Sequence, residues 1–438
     1  MADHATPGRA LRFRAAGMMV LALLAGGLVA CSDGSGTPVL NWYINPDNGG
    51  QDRLAASCTQ DSGGRYRIQT SLLPNSASAQ REQLVRRLAA KDASISLMSL
   101  DPPFIAEAAN AGFLRPFPDS EASQFTDGVL AAAVDNAKWG GKLFAAPFWA
   151  NTQLLWYRKS LVQKAGVDPT SADFTWDKMI DTAVQNGVTI GEQGNKYEGY
   201  MVWINALVAS AGGQIIADPE KGANASVRIN SPAGKQAASI ISKLARSVAA
   251  SPTLSTDTEE QARALFDSSR GGFLLNWPYI WQANISDAGK GVIPKSILDD
   301  VGWARYPRVS AGQESKPPFG GIGLAIGAYG PYKDTFALDA AKCITSADNQ
   351  KKYMLDSGNP AARGAVYDDA EVIKLFPMAA LIRDSINAAA PRPITPYYSD
   401  VSASVQSTWH PPANVNPDVT PKSTADFIPK VLHDEVLL

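Results

Sequence analysis

Histidine is nearly missing from this chain. Among 438 residues only His4, His410 and His433 occur, so a histidine-based nucleophile triad or a multi-histidine metal centre would have to converge on the tail, and neither is expected. Cysteine is equally scarce, at three residues. Charge is modest and balanced, with 40 Lys and Arg against 42 Asp and Glu for a formal net charge of -2, which leaves no electrostatic footprint for nucleic acid. A long hydrophobic run is also lacking. The apolar stretch from Ala15 to Ala30 falls short of the roughly 20 residues a spanning helix needs. No internal repeat or low-complexity tract occurs.

What is present is apolar and aromatic. A 45% hydrophobic content over this length supports a large core and, at about 100 to 200 residues per domain, two lobes. Ten Trp, thirteen Tyr and fourteen Phe fill much of that core and leave some rings to stack on the apolar faces of pyranoses. The three cysteines separate by position. Arg9, Arg12 and Arg14 precede the apolar stretch, which ends in Leu28, Val29, Ala30 and Cys31. This lipobox-like ending predicts a lipoprotein signal peptide over residues 1–30, cleaved before a lipidated Cys31 on the outer face of the cytoplasmic membrane. Residues 31–38 then form a flexible lipidated tether. Cys58 and Cys343 remain, an even pair in an oxidising compartment, which predicts a disulfide; two separately buried thiols are the alternative.

The strands VLNWYIN (39–45), YRIQTSLL (66–73) and ISLMSLD (95–101) alternate with two helical patterns, the second carrying Leu84, Val85 and Leu88 on one face. This is β-α-β-α-β and predicts a parallel sheet. Open sheets of this kind bind ligands at the carboxyl ends of their strands, which selects Asn45, Asp47 and Asn48 after the first strand and Asp101 after the third. Pro102 and Pro103 stop that third strand. Asp101 either accepts hydrogen bonds from adjacent sugar hydroxyls or caps the helix that follows.

The stretch KLFAAPFWANTQLLWYR (142–158) organises the rest. Pro147 and Asn151 interrupt its apolar run, and because a central strand rarely tolerates proline, the pattern predicts a strand that ends, a crossing segment and a second strand in another sheet. Further on, Thr258 and Gln261 have capping-box spacing and place Glu260 in a first helical turn, as dipole ballast or as a ligand acceptor. The strand GGFLLNW ends at Trp277, a stacking platform for a sugar ring. Gly320 and Gly321 permit close backbone approach in a later crossing. Arg392, between Pro391 and Pro393, offers its planar fork to sugar oxygens or to an interlobe salt bridge. Tyr197, Glu198 and Trp203 either face a cleft or pack and cap.

Gly141, Lys142, Phe144, Pro147, Tyr157, Arg158 and Lys159 together resemble the first lobe crossing of the substrate-binding proteins of ABC sugar importers, extracellular solute-binding protein family 1. NTQLLWYR, NWP, GGIGLAI and RPITPYY are most similar to the trehalose-binding lipoproteins of mycobacteria. The resemblance implies a two-lobed, periplasmic-binding-protein-like α/β fold of type II, cluster D-like, with three crossings. Lobe I would comprise residues 39–149 and 320–388, and lobe II residues 150–319 and 389–438. It implies ligand contacts from Asp101, Asn151, Glu260, Trp277, Gly321, Ile322 and Arg392, and no metal, cofactor or catalysis. The implied function is that of a monomer that captures a disaccharide, trehalose foremost, and delivers it to ABC permease transmembrane subunits. Maltose, sucrose and glycerophosphodiesters are alternative ligands; a glycosidase using Asp101 and Glu260 as acid and base is the alternative class. Between residues 294 and 301 the chain is shorter than the mycobacterial pattern, which affects the cleft on that side.

Overall fold

The computed structural model describes residues 36–47 and 49–438; the leader, Cys31 and Asn48 lie outside the described residues. Nine strands build the two main sheets: β1 (Val39–Ile44), β2 (Arg67–Leu72), β3 (Ile95–Leu100), β4 (Ala145–Thr152), β5 (Leu154–Arg158), β6 (Thr189–Gly191), β7 (Gly271–Asn276), β8 (Val301–Ala304) and β9 (Phe319–Ile326). The first sheet has the order β2-β1-β3-β9-β4, and the second β8-β5-β7-β6. β1 is parallel to β2 and β3, as the alternating pattern predicts, while β9 is antiparallel to β3 and β4. In the second sheet β5 is antiparallel to β7 and β8, and β7 is parallel to β6.

Every residue of β3 is buried, as is every residue of β4, the mark of strands covered on both faces. The core of the first sheet gathers Trp42, Leu97, Met98 and Leu324 with helices Gly50–Asp61 and Phe336–Ile344. Cys58 and Cys343 stand on these two helices and form a disulfide, with a Cα–Cα separation of 5.9 Å. A second core surrounds helix Glu198–Ser210, buried almost all round. The helices Tyr398–Trp409 and Thr420–Leu432 pack on it, and the Tyr200 hydroxyl donates to the carbonyl of Trp409 at 2.9 Å. A third apolar cluster takes Ala150 and Phe319 from the first sheet and Leu154, Trp156 and Leu274 from the second.

The first crossing differs from expectation in one respect. Pro147 does not end its strand: β4 runs unbroken from Ala145 to Thr152, and the chain changes sheets at Gln153 alone. Proline is accommodated because β4 is the edge strand and because the ladder with β9 is bulged between Ile322 and Gly323, opposite Pro147. Gly321, on β9 opposite Ala150 of β4, adopts φ +113°, and a Cβ there would lie 2.3 Å from the carbonyl oxygen of Trp149. Only glycine fits.

Candidate functional site

β6 and β7 end side by side at Gly191 and Asn276, and β5 begins opposite Asn276. Gln153, the loop from residue 192 to 197 and Trp277 therefore meet at one end of the second sheet. Gln153 Nε2 donates to Gln193 Oε1 at 2.7 Å, and Gln193 Nε2 donates to the carbonyl of Leu275 at 2.7 Å. Trp277 projects from this end toward the first sheet: a Cβ on Gly320 would sit 2.9 Å from the six-membered ring of its indole and 3.7 Å from the Cβ of Asn151. Asn151 is buried, and its Oδ1 accepts from the Thr152 amide at 3.0 Å. The predicted Trp277, Asn151 and Gly321 thus lie at one junction of the two sheets, with Ile322 buried beside them on β9.

The capping box at Thr258 and Gln261 forms as expected, and puts two adjacent carboxylates in the first turn of helix Glu259–Phe266. They face different ways. Glu260, the predicted acceptor, is 56% exposed and receives Arg263 Nη2 at 3.0 Å and the Tyr279 hydroxyl at 2.6 Å. Glu259 is half-buried. Burial pushes its pKa up, while the Tyr197 hydroxyl and the Trp277 indole facing it act in the opposite direction. The Tyr197 hydroxyl is buried without closing an aligned hydrogen bond. Glu259 escapes sequence reasoning because neighbours in a helical turn differ in direction by about 100°, and a capping signature does not say which of them looks inward.

A second polar group surrounds Arg392, in the segment between helices Ala379–Ala388 and Tyr398–Trp409. Arg392, only 4% exposed, makes a bidentate pair with Asp101 at the tip of β3, with Nη1 to Oδ2 at 3.0 Å, and donates from Nη1 to Glu198 Oε1 at 2.7 Å. Glu198 also receives the Tyr398 hydroxyl, and the Ser402 hydroxyl at 2.8 Å. Burial raises the Glu198 pKa, with Arg392 opposing that shift. Asp101 makes no side-chain cap to the turn that follows it; its carboxylate is the partner in the salt bridge weighed from sequence for Arg392. Phe104, two residues into that turn, sits edge-on to Tyr398 at 5.4 Å and joins the second core.

The strand-tip residues after β1 hold the start of the next helix. Asp47 accepts from the amides of Gly49 at 3.1 Å and Gln51 at 2.7 Å, serving the start of helix Gly50–Asp61, and Gln51 Nε2 donates to the Asn45 carbonyl at 2.9 Å and to Asn45 Oδ1 at 3.3 Å. Trp203 packs in the second core, 5.9 Å from Trp176.

The two sheets are joined at Gln153, and polar and aromatic groups from both meet beside that crossing. A family model described as bacterial extracellular solute-binding protein matches residues 67–351. The chain belongs to this family. A "Probable ABC transporter-binding protein" of Deinococcus radiodurans is 29% identical to this solute-binding protein over 278 residues, 60% of this chain and 62% of the relative; the match therefore spans less than two thirds of that relative's length. Maltose-bound MalE3 of T. maritima superposes with a TM-score of 0.78 at 24% identity, over 91% of this chain and 100% of that one. UgpB from Mycobacterium tuberculosis, in complex with glycerophosphocholine, gives 0.72 at 15% identity, over 92% and 100%. At these identities the likeness establishes the fold, which is the two-lobed α/β architecture expected. Among the described residues, no helix of this solute-binding protein is long and apolar enough to cross a membrane.

Proposed function

We propose that this solute-binding protein captures an extracellular disaccharide, trehalose foremost, by closing its lobes, and presents it to the transmembrane subunits of an ABC importer without chemical change. The observation that carries the reading is the position of Trp277. An aromatic plane from the second sheet stands against Gly320 and Asn151 of the first, with the Glu259 carboxyl and Tyr197 hydroxyl beside it. A pyranose lying on such a plane presents its hydroxyls edgewise to neighbouring acceptors. In this reading Asn151, Glu259, Trp277, Gly321 and Ile322 contact the sugar, Glu260 stands at the rim, and Asp101 and Arg392 close the far side of the cleft as a pair. Asn45 and Asp47 contribute from the tip of β1. The lobes are residues 39–149 with 320–388, and 150–319 with 389–438.

Trehalose rests on the similarity of NTQLLWYR and RPITPYY to trehalose-binding lipoproteins; the maltose and glycerophosphocholine of the two solved relatives define the competing ligands. Calorimetry of the purified protein with trehalose, maltose, sucrose and glycerophosphocholine tests the reading. Tightest binding to trehalose is expected, and heat only from glycerophosphocholine would overturn the sugar assignment. Appearance of free glucose on incubation with trehalose would make the protein an enzyme instead. The protein acts as a monomer, held at the outer face of the membrane through Cys31: Cys31→Ala is expected to abolish lipidation, and continued membrane retention of a cleaved variant would contradict that anchor.

A further inference from the structure

Gly320 lies on β9 opposite Asn151 of β4, buried and within a strand, where a glycine weakens the ladder it belongs to. Its backbone does not call for one. Unlike Gly321, it keeps φ out of the left-handed region, so a residue with a side chain can take the same conformation. What excludes a side chain comes from the other sheet. A Cβ built at Gly320 would lie 2.9 Å from both Cη2 and Cζ3 of Trp277, closer than real Cβ contacts come, whereas the next nearest atom, the Cβ of Asn151, stands at an ordinary 3.7 Å. No other atom of the indole is nearer than that. Gly320 therefore meets the outer edge of the ring and not its face.

That edge has little freedom to retreat. Asn276 Oδ1 accepts from the Trp277 amide at 2.8 Å, Asn276 Nδ2 donates to the Glu259 carbonyl at 2.9 Å, and the Asn276 carbonyl accepts from Trp156 Nε1 at 3.0 Å. Asn276 is wholly buried, and the Trp277 carbonyl accepts from the Ile280 amide at 3.3 Å. The root of the ring is thus fixed to the end of β7, and the rigid side chain beyond it turns about two bonds only. On the facing side, β9 runs along β4 from Phe319 to Ala325. An added methyl group at Gly320 is then met by the two sheets standing further apart.

We propose that Gly320 is the positioning residue for Trp277: its bare backbone is the seat on which the indole edge comes to rest when the lobes close, and it sets both the limit of closure and the plane on which a sugar lies. Contact through the edge leaves the faces of the ring to a pyranose. Gly320 acts on the sugar through Trp277, without touching it. The inference rests on the sugar-binding function proposed above and adds the residue that governs the geometry of that site.

Calorimetry and small-angle scattering of the full chain with trehalose, maltose and sucrose compare the wild type, Gly320→Ala, Trp277→Phe and the double variant. Gly320→Ala is expected to bind the sugar that the wild type binds about tenfold or more weaker, and to keep a larger radius of gyration than the wild type at saturating sugar. A phenyl ring lacks the outer Cη2 and Cζ3 atoms, so in the Trp277→Phe background the same methyl group is expected to change affinity by about twofold or less. That second comparison tests the inference even where Gly320→Ala alone fails to fold. Wild-type affinity or wild-type compaction in Gly320→Ala, or a tenfold loss on adding it to Trp277→Phe, would overturn this inference and leave the sugar-binding function standing. Heat from none of the three sugars with the wild type would overturn both.

Discussion

Two groups of buried or half-buried carboxyls are furnished in opposite ways. Around Arg392, Asp101 and Glu198 receive a guanidinium, two hydroxyls and bidentate geometry. Near Trp277, Glu192 keeps an oxygen with no partner, and Glu259 has no cation beside it but its own backbone amide, the Tyr197 hydroxyl and the Trp277 indole. Satisfied ionic networks fix the relation of the elements they join; a buried acceptor without a partner carries a cost instead. The first group ties the tip of β3 to the segment that carries Arg392 and to helix Glu198–Ser210, and so belongs to the architecture. The second ties no comparable set of elements together.

That contrast can be broken most forcefully at Arg392. Arg392→Met leaves Asp101 and Glu198 buried without their cation and is expected to cost about 3 to 5 kcal/mol of stability, as loss of one member of a buried ion network does. Urea denaturation measures it, and a cost well below about 1 kcal/mol would mean that the network is not structural. The disulfide supplies a control within one core: Cys58→Ser is expected to cost about 2 to 4 kcal/mol and to leave sugar affinity unchanged, since both its helices pack on the first sheet. An affinity loss in calorimetry would show that the bridge supports the cleft after all. Trp277→Ala should behave in reverse, losing about 2 kcal/mol of binding with a smaller change in melting temperature. Wild-type affinity in this variant would move the site elsewhere.

The smallest effect sharpens the comparison through pH. A carboxyl with a raised folded-state pKa binds its proton more tightly in the native protein than in the unfolded chain, so its contribution is fully present below the ordinary glutamate range and is lost as pH rises through the raised value. Glu192 is such a group. Melting temperature should therefore decline on going from acid toward neutral pH, and decline less in Glu192→Gln, because glutamine has no proton to lose. Parallel curves for the two proteins would mean that Glu192 is not the source of the decline.

Much of the architecture was legible because it follows from local rules. β-α-β-α-β patterning gave the parallel part of the first sheet, a proline-interrupted apolar run gave the crossing, and an even pair of exported cysteines gave the disulfide. The sequence placed the crossing imprecisely, since it cannot show that Pro147 lies on an edge strand opposite a bulge. Trp277 was legible as an aromatic residue ending a strand before a proline. The partners of Arg392 were not, because Asp101 and Glu198 lie 291 and 194 residues away and come together only when both sheets have formed. Glu192 carried no motif at all. Its significance lies in what surrounds it, and burial without a partner is a property of the folded molecule.

The crossing at Gln153 has a mechanical consequence. One residue separates β4 from β5, and its side chain is tied to Gln193 at the end of the second sheet, so an axis about which the sheets turn through this crossing passes close to the base of the cleft. Displacement grows in proportion to distance from an axis. Trp277 and Gly320, near it, shift little for a given angle, whereas the outer rims sweep through long arcs. In the lobe closure proposed above, a small adjustment where the ring sits becomes a large movement at the outer rims.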